Sequence, residues 1–322
     1  MAQQYGFFQY LRLKLIVVLL RAFVRFTSVD KIRRDKALVP SDVPRERVKI
    51  PSREPGRFIL ADLYYPPGLH PPSSSPPPSP PPILVNWHGS GFIFPLLGTD
   101  ALFCARIARE TGAVVLDADY RKGPETPFPG PLHDAEDALR WVGAQSSRFD
   151  TTRVGVCGFS AGGNLALAAA TALRKKLEGL VDIRIALINY ALLDLAADPA
   201  SKTVPRPINA HPIWALHLFN DCYAPDVPSR TDPVVSPSFA QPDEFPPTVA
   251  LLSCDGDTLC PEANALAKNL ESSGLPLRVV NRILEGVPHA FDKGPEEGTL
   301  AWVRREEAYG LMAALLKESL GL

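Results

Sequence analysis

Disulfides and structural zinc are the first things this sequence argues against. Its 322 residues hold five cysteines, Cys104, Cys157, Cys222, Cys254 and Cys260, an odd, widely spaced set with no Cys-x-x-Cys pair. Cys157 and Cys254 fall inside apolar runs that read as core strands, where a small buried residue is the ordinary role. The pattern predicts a reducing, cytoplasmic setting. Net charge is also nearly absent, with 34 Lys and Arg against 35 Asp and Glu. No basic stripe lies near the candidate site described below, so a nucleic-acid partner is excluded. Near the N-terminus the apolar run is unbroken only from Leu15 to Leu20. A bilayer crossing takes about 20 apolar residues. The run is also short for a signal-peptide core, and no small-x-small site follows it. No internal repeat is visible. What remains is an ordinary globular composition, 46% hydrophobic, of a length that suits one large α/β domain with a cap.

The most informative stretch is Val154-Gly155-Val156-Cys157-Gly158-Phe159-Ser160-Ala161-Gly162-Gly163-Asn164. An apolar, β-rich run enters Gly-x-Ser-x-Gly, and an Ala/Leu-rich helical run follows, from Leu165 to Leu173. This predicts strand, sharp turn and helix, with Ser160 at the apex. A serine there adopts a strained backbone, and small residues on either side let strand and helix approach. The strain holds the hydroxyl above the sheet edge, at the positive end of the helix. The plain alternative is a glycine-rich turn; the strand-before, helix-after context favours a nucleophile.

A nucleophilic serine needs a base, a carboxylate to orient that base, and donors for the oxyanion. Upstream, the buried-strand pattern Ile83–Trp87 ends in His88-Gly89-Ser90-Gly91-Phe92, whose glycines leave N–H groups free to face a cleft. Downstream, the strand pattern Pro247–Cys254 runs into Asp255-Gly256-Asp257, which supplies two candidate carboxylates. The strand pattern Leu277–Leu284 then leads to Glu285-Gly286-Val287-Pro288-His289. Ser, Asp, His is a working order for this chemistry, each residue lying just after a strand. Of six histidines, His289 alone follows a strand after the acidic candidates. His70 lies in a Pro-rich loop, His88 in the oxyanion loop, His133 at a helix start, and His211 and His217 in an aromatic-rich segment.

Together these segments resemble the hormone-sensitive-lipase-like family of α/β-hydrolases, carboxylesterases with a His-Gly-Gly-Gly-type oxyanion motif. His88-Gly89-Ser90-Gly91-Phe92 is similar to that motif, and Gly158 to Asn164 to the family's nucleophile elbow. Asp119-Tyr120-Arg121-Lys122-Gly123-Pro124-Glu125 is similar to its Asp-Tyr-Arg-Leu-Ala-Pro-Glu segment. Ser236-Pro237, Phe245-Pro246-Pro247-Thr248, Asp257-Thr258-Leu259 and His289-Ala290-Phe291 fall where the family has its later motifs. The resemblance runs from about Phe58 to the C-terminus. It implies a mostly parallel central sheet flanked by helices, with a helical cap, and it selects Asp257 over Asp255. It further implies ester hydrolysis by Ser160, with His289 as base, Asp257 as its carboxylate, and the N–H groups of Ser90, Gly91 and Ala161 as oxyanion donors; no metal or organic cofactor is implied. Three departures stand out. Ser90 replaces a glycine, Phe159 stands where Asp or Thr is common, and Lys122-Gly123 replaces an apolar pair, which predicts a more exposed loop.

The remaining expectations concern the periphery. Residues 1–50 read as an N-terminal amphipathic cap or anchor segment and 51–322 as the catalytic domain, with a proline-rich insert at 71–82 and a cap insertion at about 195–230. From Phe7 to Phe26, Lys14, Arg21 and Arg25 cluster on one side of a helix. That helix would cap the cleft or lie on a membrane surface with these bases among lipid head groups. Phe92, Ile93, Trp214 and Phe219 are the expected substrate walls, which suggests a small-molecule ester with an apolar group. Acyl transfer, lactone or amide hydrolysis by the same triad is the second reading, and a non-catalytic receptor on this fold the third.

Overall fold

The computed structural model describes residues 5–69 and 79–322. His70 and the 71–78 part of the proline-rich insert lie outside the described residues. Pro81 and Pro82, at the insert's end, accept hydrogen bonds from Asp150 and Val114 and guide the chain into the sheet.

Among the described residues eight strands form one sheet: β1 (Arg45–Pro51), β2 (Phe58–Tyr64), β3 (Ile83–Trp87), β4 (Val114–Ala118), β5 (Val154–Phe159), β6 (Ile183–Asn189), β7 (Thr248–Cys254) and β8 (Arg278–Leu284). Their order is β1-β2-β4-β3-β5-β6-β7-β8. The pairings β1–β2 and β2–β4 are antiparallel, and the rest are parallel. The boundary expected at residue 50 therefore falls inside β1, whose whole length pairs with β2. Strands β3, β4, β5 and β7 are buried throughout. This is why they read as unbroken apolar runs, since parallel strands covered on both faces have no polar side.

Alternate side chains feed two cores. Ile83, Val85 and Trp87 join the layer containing α4 (Gly130–Gly143), α5 (Ala161–Ala170) and α8 (Cys260–Ser272). Leu84 and Val115 join the opposite layer, with α3 (Ala101–Thr111) and α9 (Leu300–Leu320). All five cysteines are buried and free.

A third, smaller apolar cluster lies in the cap. Leu13 and Val17 of α1 (Phe7–Thr27) pack on Ala215, Leu216, Leu218 and Phe219 of α7 (Ile213–Tyr223). Burying Leu13 and Val17 contributes about 1.5–3 kcal/mol each. The polar side of α1 corrects the expectation for its bases. Lys14 and Arg21 both pair with Glu125, and Arg21 also donates to the carbonyls of Ile93 (2.8 Å) and Gly123 (2.9 Å). These cations face the protein because a carboxylate more than a hundred residues away waits for them. Helix α2 (Val29–Ala37) continues the cap. The loop expected to be exposed at Lys122-Gly123 is buried. Lys122 folds back over the Tyr120 ring at 3.3 Å and reaches Asp119 at 2.9 Å. Among the described residues no helix is long and apolar enough to cross a membrane.

Candidate active site

Ser160 follows β5 and precedes α5 with φ 52° and ψ −119°, a conformation that L residues rarely adopt. The neighbouring glycines make the turn possible. A Cβ at Gly158 would lie 2.2 Å from the Gly162 carbonyl oxygen, and one at Gly162 only 2.0 Å from that of Trp87. The result is a half-exposed hydroxyl at a helix N-terminus, where N–H groups lack intrahelical partners.

His289 and Asp257 reach it from the ends of β8 and β7. His289 Nε2 lies 3.0 Å from Ser160 Oγ, and His289 Nδ1 lies 2.6 Å from Asp257 Oδ2. Asp257 Oδ1 accepts from the Leu259 N–H at 3.1 Å. Burial pushes this carboxyl upward, but His289 and the Leu259 N–H outweigh it and hold it below the usual carboxylate range. Asp255 points elsewhere, accepting from the Gly286 N–H at 2.7 Å and tying the loop before His289 to β7.

The oxyanion loop lies against the serine, since a Cβ at Gly89 would come within 3.3 Å of Ser160 Cβ. The N–H groups of Ser90, Gly91 and Ala161 meet no acceptor among the described residues. The Ser90 departure has a structural use. Tyr120 donates to the His88 carbonyl at 2.7 Å, and the Phe92 N–H donates to Ser90 Oγ at 3.0 Å. The Ser90 hydroxyl proton is then left to donate to Tyr120 at 2.6 Å. The side chain thus pins the loop while the backbone N–H stays available. His88 is wholly buried, stacked on Tyr120 at 4.9 Å, with its pKa pushed down to about 3 by burial and then by the Lys122 charge. It is a neutral packing element.

A cavity of ≈ 340 Å³ opens above Ser160. Phe219 lines it, and Phe92 touches it while its ring is buried against Tyr223 at 3.7 Å. Ile93 and Trp214 do not line it: Ile93 is buried in the α1–α7 cluster and Trp214 is 56% exposed on the cap. The helical turn of α7 aims Leu216 and Phe219 inward, away from Trp214. Sequence reasoning missed Val24, Ile32 and Leu96, which with Leu216 supply apolar walls, and His211. The His211 ring stands 4.8 Å from that of His289, and burial, then the His289 charge, pushes its pKa down to about 4. Also missed was the network behind His289. Tyr190 and Tyr309 donate to Asp292 at 2.7 and 2.9 Å, and Lys293 bridges Asp292 (2.9 Å) and Asp100 (2.7 Å). Burial opposes the Lys293 charge, but its two carboxylates outweigh that effect. Phe159 packs beneath this ammonium at 3.7 Å, a place for an aromatic face rather than a carboxylate.

A family profile described as the α/β-hydrolase fold matches residues 84–293. The chain belongs to the hormone-sensitive-lipase-like α/β-hydrolases. Among curated relatives, this α/β-hydrolase is 31% identical over 220 residues to a versiconal hemiacetal acetate esterase of Dothistroma septosporum, covering 65% of this chain and 66% of that one. The chain thus spans just under two thirds of that relative's length. Its fold is similar to an esterase of Pyrobaculum calidifontis, with TM-score 0.75, 26% identity, and 94% and 93% of the two chains covered. It is also similar to a thermostable carboxylesterase cloned from a metagenomic library, with TM-score 0.75, 27% identity, and 94% and 97% covered. All three of these proteins are esterases by name.

Proposed function

We propose that this α/β-hydrolase cleaves carboxylic esters through an acyl-enzyme on Ser160. The observation that carries the reading is the unbroken line from Asp257 Oδ2 through both ring nitrogens of His289 to Ser160 Oγ, at 2.6 and 3.0 Å. A histidine whose Nδ1–H is held by a carboxylate presents a bare Nε2, the tautomer that can accept the serine proton. As Ser160 Oγ attacks the ester carbonyl, its proton passes to His289 Nε2, and Asp257 stabilises the resulting imidazolium. The N–H groups of Ser90, Gly91 and Ala161 receive the developing oxyanion, each worth about 3–4 kcal/mol. His289 returns the proton to the leaving alcohol. Water then enters, gives a proton to His289 and attacks the acyl carbon, releasing the acid and restoring Ser160.

The cavity points to a small or medium apolar ester. Its volume lies near the lower end of small-molecule sites, and Val24, Ile32, Leu96, Leu216 and Phe219 offer no charge. The test is a series of p-nitrophenyl esters of increasing acyl length, assayed with the wild type and Ser160→Ala. Turnover of short and medium esters is expected, with kcat at least about 10⁴-fold lower in the variant. A variant as active as wild type would overturn the assignment.

A further inference from the structure

The cap helix α1 is turned opposite to the usual arrangement of a surface helix. Its inner side carries Leu13 and Val17, with Lys14 and Arg21 held at one inner edge by Glu125. Its outer side carries Phe8, Leu11, Leu15, Val18, Leu19, Phe23 and Phe26, all exposed. At 100° per residue these fall within an arc of about 140°, opposite Leu13 and Val17, over a helix about 30 Å long. Scattered exposed apolar residues are normal, but a continuous stripe of this kind marks an interaction surface.

Charge identifies what covers it. From Tyr5 to Val29 the chain has no Asp or Glu. Arg25 lies just outside one edge of the stripe and Arg12 near the other, between Leu19 and Phe23, and both are exposed without a carboxylate partner among the described residues. A second copy docked along the same stripe would bring matching arginines and no acid to meet them. An anionic lipid surface meets both demands, taking the apolar stripe among its acyl chains and the arginines among its head groups. The adjoining end of the cap carries the site's mouth, because Val24 of α1 and Ser28, Lys31 and Ile32 just after it line the cavity over Ser160.

We infer that α1 docks the protein in the plane of an anionic phospholipid membrane through its outward stripe, and so sets the cavity mouth at the lipid boundary. The cations that serve this docking are Arg12 and Arg25, whereas Lys14 and Arg21 hold the helix to the body. The test is co-sedimentation of the full chain with vesicles of phosphatidylcholine containing phosphatidylglycerol. Beside it runs the variant Leu11→Gln/Leu15→Gln/Leu19→Gln, whose three side chains are exposed and line no part of the cavity. The wild type is expected to partition at least about ten-fold more strongly than the variant. Wild type left in the supernatant, or a variant that sediments equally, would overturn the inference. So would a wild-type dimer that ignores vesicles and falls apart in the variant, which would assign the face to a second copy. Vesicle partition is measured without substrate, so it succeeds or fails independently of ester hydrolysis, and the variant's rate on a water-soluble ester is expected to match wild type.

Discussion

Replacing Asp257 by Asn tests the base through its tautomer. The side chain keeps its size, and one of its oxygens already has a fixed donor: Oδ1 accepts from the Leu259 N–H at 3.1 Å. An asparagine will keep its amide oxygen there, because the alternative sets two N–H groups against each other. Its NH₂ is then turned to His289 Nδ1, the position Asp257 Oδ2 occupies at 2.6 Å. Nδ1 must become an acceptor, the ring proton moves to Nε2, and the nitrogen 3.0 Å from Ser160 Oγ can no longer take a proton. The charge that stabilised the imidazolium is lost as well. Together the losses amount to up to about 10⁴ in kcat, or about 5.5 kcal/mol of barrier. Asp255→Asn is the control, since an amide oxygen can still accept from Gly286 and kcat should change by less than about three-fold. Steady-state kinetics of both variants on one p-nitrophenyl ester, with thermal melts to show equal folding, decide the matter. If Asp255→Asn is the crippled variant, or if Asp257→Asn works normally, the reasoning is refuted.

Gly162→Ala should fail to give folded protein at 37 °C or melt far below wild type, because its Cβ would meet the Trp87 carbonyl at 2.0 Å; a melt within a few degrees of wild type would contradict the close approach. Tyr120→Phe removes the donor to the His88 carbonyl and the acceptor for Ser90, so chemical denaturation should show a loss of about 1–3 kcal/mol. For pH, His211 is held neutral down to about 4, against an ordinary value of 6.5. Below pH 6.5 the unfolded chain binds the proton that the folded one refuses, so stability present above 6.5 falls as the pH drops toward 4, by up to about 1.4 kcal/mol per pH unit. His211→Gln should flatten that slope by one proton in denaturation curves between pH 6.5 and 4, and an unchanged slope would contradict the burial argument.

The parts readable in the sequence were those written locally. Strands β3, β5, β7 and β8 each run into a loop bearing a candidate site residue, so Ser160 and His289 could be picked out from strand ends, whereas only the family resemblance chose Asp257 over Asp255. The glycine spacing around Ser160 carried the turn for the same reason. What stayed hidden depends on distant partners. Lys14 and Arg21 suggested a lipid-facing edge until Glu125 placed them inward. Trp214 looked like a wall because aromatic composition does not say which side of α7 faces the cavity; Leu216 and Phe219 do. His211 meets His289 across 78 residues of chain, and the Tyr190–Asp292–Lys293–Asp100 network draws on three separate segments. No sequence spacing announces such contacts.

The central claim is that Ser160 forms a covalent bond with the acyl carbon, and a fluorophosphonate probe tests it without knowledge of the natural substrate. Intact-mass measurement followed by peptide mapping should find one probe per chain, on the peptide holding Ser160, and none on Ser160→Ala. Stoichiometric label on another residue, or no label on active enzyme, would contradict it.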